Sequence, residues 1–237
     1  MPSLNLTKNS KKSKQTMSEK LNTLRAGVLG SNDGILTVVG VLFTVAIATT
    51  NQFTIFISGL SDLLACAFSM SSGEYASVSS QKDAEGAAVK KEKGLLKTDY
   101  AGEIQVVQQY YMKRGITAET SLEIAKDLLS KHPLETLVSI KYNMKLGHYM
   151  NPWYAAFSSL ISAATGGLFP LIAMTLSPVS IQWPVTITAV ILSASLTGYL
   201  SAKLGNGLTK VAVIRNIIIS IITMIIHYSI GKLMNQF

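Results

Sequence analysis

The sequence is poor in charged residues and contains a single cysteine. Charged side chains make up 14% of its 237 residues and hydrophobic ones 48%, and the mean hydropathy is +0.34. This composition is too apolar for an ordinary soluble domain and favours an integral, multi-pass membrane protein. Because Cys66 is alone, no internal disulfide can form, and the cysteine content does not identify a redox compartment.

Acidic residues are scarce outside one segment of the chain. Of the 13 acidic residues, nine lie between Asp83 and Glu135, and another is Glu19. The apolar segments contain only three of them, namely Asp33, Asp62 and Glu74. A charged side chain at bilayer depth costs several kcal/mol, so these three carboxylates are the first candidates for chemistry.

The formal net charge of +8 does not indicate a nucleic-acid partner. No stretch interleaves aromatic residues with a basic patch, as a nucleic-acid surface would require. The lysines and arginines instead flank apolar segments, where they determine membrane topology. We therefore expect a lipid bilayer and no nucleic acid among the partners.

Five apolar segments are each long enough to cross about 30 Å of hydrocarbon as a helix. They are predicted at about residues 25–49, 53–79, 151–176, 183–202 and 211–230. The links near residue 51 and at 177–182 contain no Lys or Arg, whereas the N-terminal tail carries six and the 80–150 segment eleven. By the positive-inside rule, the N-terminus is cytosolic and the C-terminus lies outside.

The predicted fold is an all-α membrane protein with a small cytosolic three-helix domain between transmembrane helices two and three. Thr117 is a suitable N-cap for a helix through Leu129, and His132-Pro133 begins a further helix to about Leu146. The predicted parts are a disordered basic tail (1–22), transmembrane helices one and two (23–79), the cytosolic helical domain (80–150) and transmembrane helices three to five (151–237).

The second apolar segment carries a stripe of potential metal ligands. Its members, spaced four residues apart, are Asp62, Cys66, Met70 and Glu74. Successive members turn about 40° around the helix and rise about 6 Å. Two carboxylates with two sulfur atoms suit a borderline transition metal better than Mg²⁺ or Ca²⁺, which prefer oxygen ligands alone. Taken singly, Met70 and Cys66 each fit ordinary packing better than a ligand role.

Depth along the first helical hairpin relates this stripe to Asp33. Asp33 and Met70 each lie about eight residues inside their segments, so both are expected about 12 Å from the cytosolic boundary. Gly30 and Gly34 would let the helix backbones approach closely. A carboxylate level with a thioether is a reasonable transient site for a divalent cation, although Asp33 could instead be a hydrogen-bonded structural residue. The lone His227 is expected to be packed or interfacial.

Three segments resemble the vacuolar iron transporter family: RAGVLGSNDG at 25–34, SMSSGEYASVSSQKDAE at 69–85 and NPWYAA at 151–156. The resemblance extends over essentially the whole chain after about residue 20. It implies a secondary transporter, not an enzyme: a five-span homodimer that moves Fe²⁺, and often Mn²⁺, out of the cytosol in exchange for protons, without a cofactor. The host would be a cell membrane in a prokaryote and a vacuolar-type membrane in a eukaryote.

The resemblance also assigns residues. It carries the family's pore residues over to Asp33 and Met70, and its further intramembrane carboxylate to Asp62. In the cytosolic domain, Glu92 and Glu103 match family metal ligands. Other ligand positions hold Leu95, Val106, Lys141 and Lys145. Lysines repel a cation and fill its space, so metal capture there is expected to be weakened or lost. Nearby potential substitutes are Met144, His148 and Met150.

Two other classes of function stay open at this stage. A non-transporting scaffold or metal sensor would explain a family fold whose soluble domain has lost ligands. An intramembrane aspartyl protease would need Asp33 and Asp62 to share a proton. Helix rise predicts depths of about 12 Å and about 24 Å for these two carboxylates, which is too far apart for them to hold one water.

Overall fold

The computed structural model describes residues 17–147 and 151–236. In these residues the chain forms eight helices and no strands. The helices are α1 (Met17–Ala48), α2 (Gln52–Thr98), α3 (Tyr100–Met112), α4 (Ala118–Lys131), α5 (Pro133–Tyr142), α6 (Pro152–Leu176), α7 (Gln182–Leu204) and α8 (Thr209–Met234). The all-helical prediction is confirmed.

Five of these helices, α1, α2, α6, α7 and α8, are long and apolar enough to cross a membrane, as predicted. Much of their apolar surface stays exposed: Ile161, Leu176 and Leu192 are each more than 60% accessible. Such exposure would be unfavourable in water but suits side chains that face lipid. The backbone polar groups of each helix are hydrogen-bonded within that helix, as a lipid environment requires.

The chain divides into two compact units, and α2 contributes to both. The first, here called the spanning unit, consists of Met1–Glu74 and Trp153–Phe237. The second, here called the connecting unit, is Tyr75–Pro152. Helix α2 continues to Thr98, past the expected end of the second span at about residue 79.

Small residues bring the helices of the spanning unit into backbone contact. Gly34 of α1 lies against the carbonyl group of Ala163 in α6, and Gly166 of α6 lies against the Ser31 backbone. Between α7 and α8, a Cβ added to Gly198 would lie 2.9 Å from the Ala212 carbonyl oxygen. Because lipid provides no hydrophobic drive between helices, such close packing is a main source of their association.

The connecting unit has a small core of its own. Val107, Ala125, Leu129 and Leu137 pack together there and are almost fully buried. As predicted, Thr117 caps α4, because its hydroxyl accepts a hydrogen bond from the Thr120 amide. The helical periodicity of this segment therefore reflects burial against neighbouring helices.

Two boundaries differ from those expected. Helix α1 begins at Met17, so residues 17–22, assigned to the basic tail, are helical, whereas the remainder of that tail lies outside the described residues. Helix α5 ends at Tyr142 and not near Leu146, because Asn143 adopts a left-handed conformation with φ of 54°. His148 and Met150 also lie outside the described residues.

Candidate functional site

Residues 30–34 of α1, here called the hub, lie against four other helices of the spanning unit. Helix α1 continues unbroken through them, although two are glycines. Their contacts are Gly30 with Ser159 of α6, Ser31 with Thr197 of α7, Asp33 with Cys66 of α2 and Gly34 with Ala163 of α6, whereas Asn32 lines a groove shared with α8. Five consecutive residues thus face four helices, which explains why small and polar side chains occur here together.

Asp33 meets the stripe on α2 at Cys66. The Cys66 thiol donates a hydrogen bond to Asp33 Oδ2 over 3.5 Å. Cys66 is buried and Asp33 is half-buried. A carboxylate beside a thiol combines a hard and a soft ligand, which suits a borderline transition metal such as Fe²⁺ better than an all-oxygen site would.

Asp62 lies one helical turn from Cys66 along the stripe, and its carboxylate is not fully hydrogen-bonded. Its Oδ2 is buried without a hydrogen-bond partner among the described residues. Thr37 of α1 lies beside Asp62, and Asp33 and His227 are near enough to act on it electrostatically. Buried polar atoms without partners are costly, so their presence inside the spanning unit marks a site that a proton, water or cation can enter.

The pairing of α1 with α2 shifts Met70 relative to the predicted level. Residue 33 faces residue 66, and residue 37 faces residue 62, as in an antiparallel pair. Met70 is therefore about one turn, or about 6 Å, from the level of Asp33. It is half-buried and packs beside Cys66 and Ala163. The same pairing puts Asp33 and Asp62 about one turn apart, closer than the predicted depths indicated.

Glu74, at the end of the stripe, is only 9% exposed. No ion pair or hydrogen bond to its carboxylate occurs among the described residues. The stripe therefore carries one half-buried carboxylate, Asp62, and one buried carboxylate, Glu74, without a cationic partner on the same helix.

Sequence reasoning missed the matching stripe on α1. Asp33, Thr37, Gly40 and Thr44 succeed one another at steps of three or four and therefore share one face of the helix. The His227 ring lies over Gly40, where an added Cβ would come within 2.6 Å of it. His227 is half-buried, and its Nδ1 is 2.9 Å from the Thr223 carbonyl oxygen. Helical spacing was the available signal, but glycine and threonine carried no charge to draw attention.

The spanning unit does not present a complete coordination sphere. In the described part of the chain, no group of three or more His, Cys, Asp or Glu side chains is arranged to hold a metal. Asp33 and Cys66 are in contact, with Met70 and Asp62 each about one turn away. The potential ligands are therefore distributed along the α1–α2 pairing and not gathered at one point.

In the connecting unit, the two candidate glutamates converge on a lysine. Lys141 Nζ lies 2.7 Å from Glu92 Oε2 and 2.6 Å from Glu103 Oε2. Glu92 is 0% exposed and Glu103 4%, and the Tyr142 hydroxyl donates to Glu92 Oε1 over 2.7 Å. Of the two lysines at ligand positions, only Lys141 reaches the pair, because Lys145 is exposed.

This cluster raises the pKa values of Lys141 and Tyr142. Burial of the Lys141 ammonium lowers its pKa, but hydrogen bonds and charges from Glu103 and Glu92 outweigh burial and raise it above the ordinary lysine value. The hydrogen bond to Glu92 likewise raises the pKa of Tyr142. Lys141 thus stays charged and supplies the positive charge that two facing carboxylates require.

Comparison with known proteins identifies the family. The VIT family model matches residues 24–232. A vacuolar iron transporter of Acanthamoeba castellanii is 35% identical over 149 residues, which are 63% of this chain and 54% of that protein. Vacuolar iron transporter homolog 1 of Oryza sativa is 28% identical over 61% of this chain and 56% of its own length.

Vacuolar iron transporter homolog 3 of Arabidopsis thaliana is 27% identical over 92% of this chain and 86% of its own length. The matched region spans little more than half of the amoeba and rice relatives. The family match, in contrast, includes all five spans and both candidate clusters. This chain belongs to the VIT family.

Proposed function

We propose that this protein transports Fe²⁺, with Mn²⁺ as a second cargo, out of the cytosol in exchange for protons. The names of its relatives support iron as the cargo. The observation that carries the proposal is the contact between the Asp33 carboxylate and the Cys66 thiol inside the spanning unit. An ion-binding group at this depth would otherwise be an uncompensated cost.

In the proposed mechanism, Asp33 provides the negative charge for a partly dehydrated cation. Cys66 and Met70 add sulfur ligands, which favour Fe²⁺ and Mn²⁺ over Ca²⁺. Because Asp33 and Cys66 are neighbours along the α1–α2 pairing, a small ion can contact both without rearrangement of the helices. Weak, stepwise coordination lets the ion leave as readily as it enters.

Asp62 and Glu74 are the proposed proton carriers. Glu74 is buried, Asp62 is half-buried with its Oδ2 shielded, and neither forms an ion pair with a lysine or arginine among the described residues. Such a carboxylate is neutralised by a proton when no cation is near, and it releases that proton when a cation approaches. Alternation between these two states would couple metal movement to a pH gradient.

We further propose a homodimer with the connecting unit in the cytosol. A second copy would supply additional ligands, since one copy has no complete metal-binding group among its described residues. In the connecting unit, the Lys141 ammonium takes the place of a metal between Glu92 and Glu103, so this unit serves as a scaffold. Light scattering of the purified protein tests the dimer.

The deciding experiment is metal uptake into liposomes that hold a pH gradient. Purified protein should take up Fe²⁺ and Mn²⁺, and the rate should fall sharply when the pH gradient is removed. The Asp33→Ala variant should not take up either metal. Asp127→Asn is the matched control, because Asp127 is an exposed carboxylate of the connecting unit. Wild-type flux from the Asp33 variant would refute the site, and flux unaffected by the gradient would refute proton coupling.

A non-transporting scaffold or sensor is the competing function. It is favoured by one observation, the lysine that occupies the carboxylate pair of the connecting unit. The two functions differ in the same assay, because a scaffold gives no metal flux above that of empty liposomes. A sensor would instead bind metal without translocating it.

A further inference from the structure

A groove between α1, α7 and α8 combines apolar walls with two arginines. It has a volume of about 640 Å³. Arg25 of α1 and Arg215 of α8 both line it. Its wall is largely aliphatic, with Leu24, Val28, Leu208, Val211 and Ile219 among the lining residues.

Among the side chains that the structure describes, neither arginine has a partner that accounts for its position. Among residues 21–147 and 151–236, no carboxylate forms an ion pair with Arg25 or Arg215, and neither guanidinium makes a hydrogen bond. Both side chains are exposed. Two like charges that line one groove repel each other, so a shared anion would stabilise this arrangement.

The depth of the arginines matches that of lipid headgroups. Arg25 lies at the expected start of the first span, near residue 25, and Arg215 lies six residues from the start of α8 at Thr209. Six residues correspond to about 9 Å of helix rise, so both long, flexible side chains are within reach of the interface. Lys203 and Lys210 flank the same ends of α7 and α8 but do not line the groove, so a purely topological role does not require two arginines to converge on it.

We propose that this groove is a binding site for an anionic phospholipid. The phosphate lies between the guanidiniums of Arg25 and Arg215, which are suited to bidentate contact with phosphate oxygens. One acyl chain lies along the aliphatic wall, which a free phosphate or a polar metabolite would leave unused. Basic pockets between transmembrane helices bind acidic headgroups in this way.

The test measures lipid affinity of the purified full-length protein in detergent, by native mass spectrometry and by the thermal unfolding midpoint. Dioleoyl phosphatidylglycerol is compared with dioleoyl phosphatidylcholine, which has the same chains and no net charge. The wild type should retain phosphatidylglycerol and unfold at a higher temperature with it. Arg25→Gln and Arg215→Gln should each weaken that affinity about fivefold.

Controls separate charge from folding and lipid from free anion. Lys210→Gln should bind like the wild type, and Arg215→Lys should recover part of the affinity lost by Arg215→Gln while leaving the chain folded. Equal retention of the two lipids, or unchanged affinity in both glutamine variants, would overturn the proposal. So would inorganic phosphate that displaces the lipid at equal concentration, because the site would then recognise a free anion. None of these readouts depends on metal transport.

Discussion

The two units of the molecule differ in the partners that they provide for their carboxylates. In the connecting unit, the Lys141 ammonium forms ion pairs with both Glu92 and Glu103, and the Tyr142 hydroxyl donates a further hydrogen bond to Glu92. In the spanning unit, Asp62 retains a buried oxygen without a hydrogen-bond partner among the described residues. A satisfied cluster stabilises one arrangement, whereas an unsatisfied one keeps affinity for a charge that comes and goes.

Removal of the Asp33 carboxylate tests the unsatisfied side of this comparison and should have the largest effect. Asp33→Ala is expected to lower Fe²⁺ uptake by liposomes more than about 100-fold, beyond the loss usual for an outer-shell change. Cys66→Ser, which keeps a small polar group but removes the sulfur, should lower uptake less. If Asp127→Asn lost as much activity, protein quality and not the site would explain the result.

Removal of Lys141 tests the satisfied side. Lys141→Ala leaves two buried carboxylates facing each other without a cation and should destabilise the connecting unit by about 3 kcal/mol, as measured by chemical unfolding of the full chain. Lys131→Ala is the matched control, because its ion pair with Asp127 is exposed and should contribute less than about 1 kcal/mol.

The response of Lys141→Ala to a metal ion provides a second test of this comparison. With the ammonium gone, Glu92 and Glu103 should gain affinity for a divalent cation, so Mn²⁺ should raise the stability of Lys141→Ala more than that of the wild type. Identical responses of the two proteins to Mn²⁺ would contradict the view that the ammonium occupies the cation position.

Close helix packing at residues 30–34 should contribute less to the free energy of unfolding than the Lys141 ion pairs do. A methyl group added at Gly34 would overlap the Ala163 carbonyl group, so Gly34→Ala should destabilise the spanning unit by about 1–3 kcal/mol in thermal unfolding. Gly73→Ala is the control from α2, because no atom lies within 4 Å of its added Cβ. That change should be neutral or stabilising by up to about 1 kcal/mol.

The smallest expected effect is a difference in stability between the wild type and Lys141→Ala at alkaline pH. Because the pKa of Lys141 is raised by folding, its contribution is fully present below the ordinary lysine value of 10.5 and is lost as the pH rises through the folded pKa above it. Tyr142, whose pKa is also raised, acts in the same direction. Hydrogen exchange of the connecting unit should therefore accelerate above about pH 10.5 in the wild type more than in Lys141→Ala.

Local patterns were enough to predict much of this fold. Runs of apolar residues located five spans, because a helix must be long and apolar to cross a bilayer whatever it packs against. Thr117 was recognised as an N-cap from residue type and spacing alone. The end of α5 was misjudged because Asn143 takes a left-handed conformation that its neighbours do not reveal.

The candidate site was only partly predictable. Charge in an apolar segment singled out Asp33, Asp62 and Glu74, since its cost is evident without coordinates. Counting residues from uncertain span ends, however, assigned Met70 to the level of Asp33, whereas the pairing of α1 with α2 brings Cys66 there. An error of one turn is within the uncertainty of such boundaries.

The sequence by itself determined the class of this protein, the number of its spans and the short list of intramembrane carboxylates, because each follows from the cost of placing particular groups in hydrocarbon. Only the tertiary structure decided which groups meet. The contacts of Asp33 with Cys66 and of Lys141 with two glutamates join residues 33 to 49 positions apart. Such contacts depend on how whole helices pack, and local sequence does not encode that distance.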